Sequence, residues 1–238
     1  MRLNKSNIVK KSFVLLFLIA ISISFIAAAE NNTETPIALV KKIVKNVTHR
    51  VNQDSDWELA KTGMPLNSGE QVKTGFRSLA LVLFTDGSGL LRVRENSILN
   101  ILGKQSDKNL NKNTVIEKGF VGFEINKQEA EEFKFTTPTA VAAIRGTEGF
   151  IEVGDENLST IACSEGKIEV ESLIGIKSKI FVEGGYFAVQ QPNGYFKIRQ
   201  LTAEMLDKLK QTKKSSLEKI KIETKEGTIE VEYYSDEE

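Results

Sequence analysis

The feature that most restricts this chain is a two-residue hydrophobic rhythm, punctuated by turn residues roughly every ten positions. From Ile37 onward, short runs of Val, Ile, Leu, Phe and Thr are each bounded by Gly, Asn, Asp or Ser. Val121, Phe123 and Ile125 alternate with Gly122 and Glu124; Phe133 and Phe135 with Lys134 and Thr136; Ile168 and Val170 with Lys167, Glu169 and Glu171. A strand sends successive side chains to opposite faces, so this alternation specifies half-buried strands. Leu91 and Val93 alternate with Arg92 and Arg94, which predicts one wet face there. Leu79–Phe84 is almost wholly apolar, as expected of a strand covered on both faces. The expected class is all-β, a sandwich, barrel or short solenoid, although no fixed internal period runs along the chain.

The punctuation predicts where the chain turns. Asp86-Gly87-Ser88-Gly89 reads as a tight turn, with the Asp86 side chain capping it. Gln105–Asn113 is polar and reads as a mobile loop tip. Helix is scarce until Thr202, which is placed to cap a helix from Ala203 to about Lys214. Met205, Leu206 and Leu209 would share its apolar face. Ile220-Lys221-Ile222 and Thr228-Ile229-Glu230-Val231, with Lys225-Glu226-Gly227 between them, predict a small hairpin. The acidic tail Ser235–Glu238 is expected to fray.

The first residues carry a different signal. Arg2, Lys5, Lys10 and Lys11 precede an apolar run from Phe13 to Phe25, and Ala27-Ala28-Ala29 stands before Glu30. A basic start, a short apolar core and small residues before the cut are the parts of a secretory signal, so cleavage is expected between Ala29 and Glu30. The alternative is an uncleaved anchor, because Ser12–Ala29 approaches the roughly 17–25 residues of a membrane span. The predicted location is periplasmic or extracellular. Membrane association is expected only through an uncleaved leader.

The whole chain has 32 basic and 32 acidic residues. Removing Arg2, Lys5, Lys10 and Lys11 with the leader leaves 28 basic against 32 acidic. A slightly acidic chain argues against nucleic acid as a partner, which requires a basic surface. Cys163 is the only cysteine, so no intramolecular disulfide can form, and its apolar setting predicts a buried structural thiol. His49 is the only histidine and is expected in an exposed strand or loop. One His and one Cys make no zinc site of the usual kind, and no nucleophile elbow, phosphate-cradling loop or EF-hand pattern occurs. Glu129, Glu131 and Glu132 read as a solvated face. The expectation is no catalytic residue, no cofactor and no metal.

Three blocks, taken in order, carry a resemblance. The first is Trp57-Glu58-Leu59-Ala60, Gly63 and Leu66, then Gly69-Glu70-Gln71-Val72-Lys73-Thr74-Gly75, Ser78, Ala80 and Phe84-Thr85-Asp86-Gly87-Ser88. The second runs from Thr137-Pro138-Thr139-Ala140 to Ile144-Arg145-Gly146-Thr147, then Phe150 and Val153. The third, weaker, is Glu165-Gly166-Lys167-Ile168-Glu169-Val170. Together, over Ile37 to Val189, they resemble the FecR domain family. Two positions depart from the family pattern: Gly69-Glu70 stands for Gly-Asp, and Asn46 stands where a turn glycine is usual, a site that calls for left-handed φ. The resemblance implies a β-sandwich or short solenoid-like domain over 37–198, after a signal peptide at 1–29 and a linker at 30–36. A C-terminal helix and hairpin extension would occupy 199–238. The family's regulators also carry an anti-sigma segment, which is not recognised here, so the resemblance implies the domain and not iron-uptake regulation.

Within these blocks, Gly63, Gly69, Gly75 and Gly87 read as corners that need left-handed φ, and Trp57 as a core plug. Pro138 fixes an extended start to the next strand, whose Ala140, Ala142 and Ala143 let another segment approach closely. Arg145 follows an apolar strand, so its guanidinium is expected to be partly buried and to need a carboxylate or carbonyls, with Asp86 or Glu70 as candidate partner. Arg145, Thr147, Asp86 and Glu70 are therefore the candidate binding site or structural clamp. The expected function is that of an exported, non-catalytic binding or signalling module whose partner is an envelope protein or cell-wall glycan. A structural or assembly role in an envelope complex is the alternative, and an unrecognised hydrolase using His49 the remote one.

Overall fold

The structure is a computed structural model, and it describes residues 35–106, 109–127, 133–214, 218–224 and 227–233. The leader, the Ala29–Glu30 site and Glu129, Glu131 and Glu132 lie outside the described residues. The alternating runs fold into two sheets that share one long strand. The first sheet runs in the order β4 (Pro65–Leu66), β1 (Ala38–Val44), β6 (Leu79–Phe84), β7 (Gly89–Val93), the second half of β9 (Asn109–Ile125), β12 (Thr147–Val153), β13 (Ser159–Glu165), β16 (Tyr186–Gln190) and β17 (Phe196–Gln200). The second runs β3 (Glu58–Leu59), β2 (Val47–Arg50), β5 (Gln71–Thr74), β8 (Ile98–Ser106), the first half of β9, β10 (Phe133–Thr136), β11 (Ala140–Ile144), β14 (Lys167–Ser172) and β15 (Lys179–Glu183). Among the described residues, every pairing is antiparallel except β9 with β10.

The sheets face each other across an apolar core, as in a sandwich. Val40, Phe84, Val121 and Phe123 enter it from the first sheet, and Val72, Leu99, Phe135 and Val170 from the second. Aromatic rings tie the layers: Phe84 meets Phe133 edge-on at 4.9 Å, and Phe123 meets Phe135 at 5.0 Å. Each such fully buried ring contributes roughly 1.5–3 kcal/mol of hydrophobic burial. Cys163 lies in this core, and burial pushes its thiol pKa up to about 11. It is thus the buried structural thiol its neighbours implied. Leu79–Phe84 is buried nearly throughout, as its composition required.

The C-terminal helix α1 (Ala203–Lys214) covers the outer face of the first sheet. Thr202 caps it, its Oγ1 accepting the Met205 N–H at 3.2 Å. Leu209 and Met205 pack with Phe150, Ala162 and Phe187. Leu206, expected on the same face, is instead an exposed side chain. The helix turns by about 100° per residue, which carries Leu206 away from its neighbour. Beyond it, β18 (Glu218–Thr224) and β19 (Gly227–Tyr233) form the predicted antiparallel hairpin.

Several local expectations are overturned. Most of the polar stretch 105–113 is not a loop: β8 and β9 extend through it as a hairpin, with Ser106 paired to Asn109. Trp57 is only half-buried, and lies under the Arg50 guanidinium at 4.5 Å and Lys73 Nζ at 5.3 Å. Its ring serves cations at the sandwich edge rather than filling the core. Arg92, expected on a wet face, is buried and bonds Glu124 Oε2 at 2.9 Å. The left-handed residue at the first turn is Lys45 (φ 58°), not Asn46. Gly75 has no positive φ; it lies close against Asn46, whose carbonyl accepts its N–H at 2.9 Å.

Candidate functional site

The chain crosses between sheets at stacked corners, and these corners organise both ends of the sandwich. One column joins Lys45–Asn46, Gly75–Ser78, Arg94–Ser97 and Gly119. It is sewn together by Gly75 N–H to Asn46 C=O at 2.9 Å, Asn96 N–H to Gly75 C=O at 3.1 Å and Phe120 N–H to Ser97 Oγ at 3.0 Å. The other column, at the opposite end, joins Arg145–Thr147, Glu165–Lys167 and Gly184–Gly185. Gly184 N–H donates to Gly166 C=O and Gly185 N–H to Cys163 C=O, each at 2.9 Å.

Arg145, Thr147, Asp86 and Glu70 all lie towards this second end, yet they form no common clamp. Arg145 is exposed at its corner rather than partly buried. Asp86 instead pairs with Lys112 Nζ at 2.5 Å, and the lysine side chain is only 1% exposed. Partial burial pushes the Asp86 carboxyl up, but bonds from Lys112 and Ser88 outweigh it and hold its pKa below the ordinary value. Asp86 Oδ1 also accepts the Ser88 N–H at 3.0 Å, which is the turn cap its sequence promised. Glu70 is buried and taken by His49, whose Nε2 lies 2.8 Å from Glu70 Oε2, while Asn67 Nδ2 donates to Oε1 at 3.1 Å. His49 is therefore a buried structural partner, not an exposed histidine. Thr147 is buried at the start of β12, its methyl against Gly166. Asp86 and Glu70 thus hold loops in place, and Thr147 packs at its corner.

The Thr137-Pro138-Thr139 motif serves the first end in the same way. Thr137 Oγ1 and Thr139 Oγ1 reach Ser159 Oγ at 2.6 and 3.1 Å, and Gln190 Nε2 donates to Thr139 C=O at 2.7 Å and Ser172 Oγ at 3.0 Å. These side chains are all buried, and the network pairs their hydroxyls and the Gln190 amide N–H group, while Gln190 Oε1 has no partner among the described residues.

A cleft of about 670 Å³ opens beside the first column. Arg94, Asn96, Lys118 and Phe120 form one wall, Glu152, Asp155 and Asn157 another, and Lys208 of α1 closes a side. The Phe120 ring stacks on buried Phe150 at 4.7 Å, which fixes a half-exposed aromatic surface in the cleft. Cations and carboxylates thus face one volume around a ring packed on Phe150. Sequence reasoning missed this site because its residues come from four separated segments. The one local hint was Arg94, on the wet face predicted for its segment.

Residues 70–169 match the model of the FecR protein family. The chain carries a FecR domain. The match runs from β5 into the first half of β14 and includes Glu70, Asp86, Arg145 and Thr147. Trp57 to Leu66, which also carried the resemblance, precede it. Two crystal structures of a candidate anti-sigma factor from Parabacteroides distasonis are similar to the chain, at 15% identity and a TM-score of 0.49. Each alignment covers 58% of this chain and 62% of the other, so the chain spans about three fifths of the solved protein's length. No curated protein matches. In the FecR domain, most motif residues belong to corners and buried polar joints, and the cleft meets the motif blocks at Val153.

Proposed function

We propose that this FecR-domain protein is an exported, non-catalytic binding and signalling module of the bacterial envelope, and that it recognises cell-wall glycan in the cleft beside the first corner column. The observation that carries this reading is the fixed Phe120 ring, set among Arg94, Lys118, Glu152 and Asp155. A sugar ring offers an apolar face to an aromatic side chain and a rim of hydroxyls to charged donors and acceptors. A cleft with a few convergent polar groups around an apolar floor is the general form of a small-ligand site. Export rests on the leader pattern of Met1–Ala29. A non-catalytic role is supported by His49, which is buried against Glu70 and does not line the cleft.

Calorimetric titration of the mature chain with soluble cell-wall glycan fragments tests the reading. Binding is expected, weakened about tenfold, or about 1.4 kcal/mol, by Phe120→Ala or Glu152→Gln. Absence of binding by the wild-type chain, or binding indifferent to both substitutions, would sink it. A second reading, assembly within an envelope complex, is favoured by a separate observation, the open sheet edges at the C-terminal side of the sandwich.

A further inference from the structure

The two lateral edges of the sandwich are built differently. On the N-terminal side, the edge strands β3 and β4 have two residues each, and β4 begins with Pro65, which has no N–H to offer. On the opposite side, β15 and β17 each present five residues, and among the described residues each pairs on one side only.

The β15 edge has a specific pattern. Ser172 N–H donates to Ser178 C=O, and Gly184 N–H to Gly166 C=O, each at 2.9 Å. These two bonds fix the alternation between them. Ile180 and Val182 turn their backbone groups toward β14, and Lys179, Phe181 and Glu183 turn theirs outward. The same three residues carry the exposed side chains, with Phe181 50% exposed. The sequence Lys179-Ile180-Phe181-Val182-Glu183 is complementary to itself when reversed. Laid antiparallel to a copy about Phe181, it sets Lys179 opposite Glu183, Phe181 opposite Phe181, and Ile180 opposite Val182. The outward N–H and C=O groups then meet in register, and the apolar inner row continues across the junction. The neighbouring edge lacks this property: β17 reversed about Ile198 would set Lys197 against Arg199.

We infer that the protein forms a two-fold symmetric dimer through β15, joining the second sheets of two copies into one continuous sheet. The interface is isologous, as a self-complementary strand requires. This inference is independent of the glycan reading, and its test uses no glycan.

The test is sedimentation equilibrium of the mature chain over a range of micromolar concentrations, with circular dichroism as a fold control. The wild-type chain should be a dimer. Glu183→Lys and Lys179→Glu should each weaken dimerisation on the order of tenfold by setting like charges face to face. The double exchange K179E/E183K should restore it, because the reversed strand is again complementary. Restoration separates the dimer contact from the pairs within one copy, Lys179 with Glu169 and Lys167 with Glu183, which the exchange does not rebuild. Phe181→Pro removes an outward N–H that β14 does not use, and should give a folded monomer. A wild-type monomer at every concentration overturns the inference. So does a dimer that persists in Phe181→Pro, or one that the double exchange fails to rescue.

Discussion

At one end of the sandwich the chain turns between sheets through Lys45, Arg77 and Asn96, all with left-handed φ of 51–58°, and through Gly119; at the other it turns through Gly146, Gly166 and Gly185. Both columns do the same topological work, and they differ in crowding. A side chain in the left-handed region costs roughly 1–2 kcal/mol, which a protein tolerates where there is room for it. A Cβ on Gly166 would lie 2.5 Å from Thr147 Cγ2 and 2.8 Å from the Gly146 carbonyl oxygen. Gly146 and Gly166 are packed against neighbouring backbone, and glycine is the residue that fits there, whereas a Cβ on Gly185 would meet nothing within 4 Å. Gly119 is the crowded point of the first column, where β9 passes from one sheet to the other and a Cβ would fall 2.3 Å from Ser97 Oγ. Left-handed geometry alone thus does not decide the residue type at a corner. The neighbouring corner does.

This contrast can be broken or sharpened by substitution. The largest effect is expected for Gly166→Ala, which adds left-handed strain to a clash with backbone and should destabilise by about 3 kcal/mol in chemical denaturation. If it proves as mild as a surface change, the crowding account of the second column is wrong.

Asp86→Asn tests the buried pair at the same end. Lys112 would lose its counter-charge in a buried site, although Asp86 itself is 28% exposed, so about 2 kcal/mol of stability should be lost at neutral pH. The pH dependence has a definite sign. The folded pKa of Asp86 lies below its ordinary value of 3.8, so its contribution is present above that value and is lost as pH falls through the folded pKa. Wild type and Asp86→Asn should therefore converge in stability under strongly acidic conditions, which denaturant titrations at descending pH would record. A gap that stays constant down to the acid limit would remove the pair from the account.

The smallest effect is expected in the first column. Arg77→Gly relieves left-handed strain but adds freedom to the unfolded chain, so a gain of about 0.5 kcal/mol should appear in the melting curve. A loss of more than about 1 kcal/mol would mean that Arg77 contributes through its side chain rather than enduring its backbone.

Most of the fold was legible because strand alternation is a local signal. Val121, Phe123 and Ile125 point inward in any sheet that buries one face, and Thr202 caps its helix wherever that helix docks. The turn at Asp86 and the hairpin after the helix were readable on the same ground. The misreadings cluster at charged and aromatic residues. Arg92, Lys112, His49 and Glu70 all look like surface groups in their own segments. Each is buried because a partner from a distant strand neutralises it or accepts its hydrogen bond, 32 residues away for Arg92 and 21 for His49. Trp57 was misread in the opposite sense, since Arg50 and Lys73 supply a cationic cover that its neighbours in sequence do not reveal.

By itself, then, the sequence determined the all-β class, the inward rows, the order of the FecR blocks and the C-terminal helix and hairpin, because these follow from residue spacing along one strand or one helical turn. Only the tertiary structure decided which polar groups are buried, that the motif residues brace corners, and that a cleft forms around Phe120. The physical reason is distance along the chain. The desolvation of a charge, the crowding of a corner and the walls of a cleft are set by segments that meet only after the two sheets close on each other.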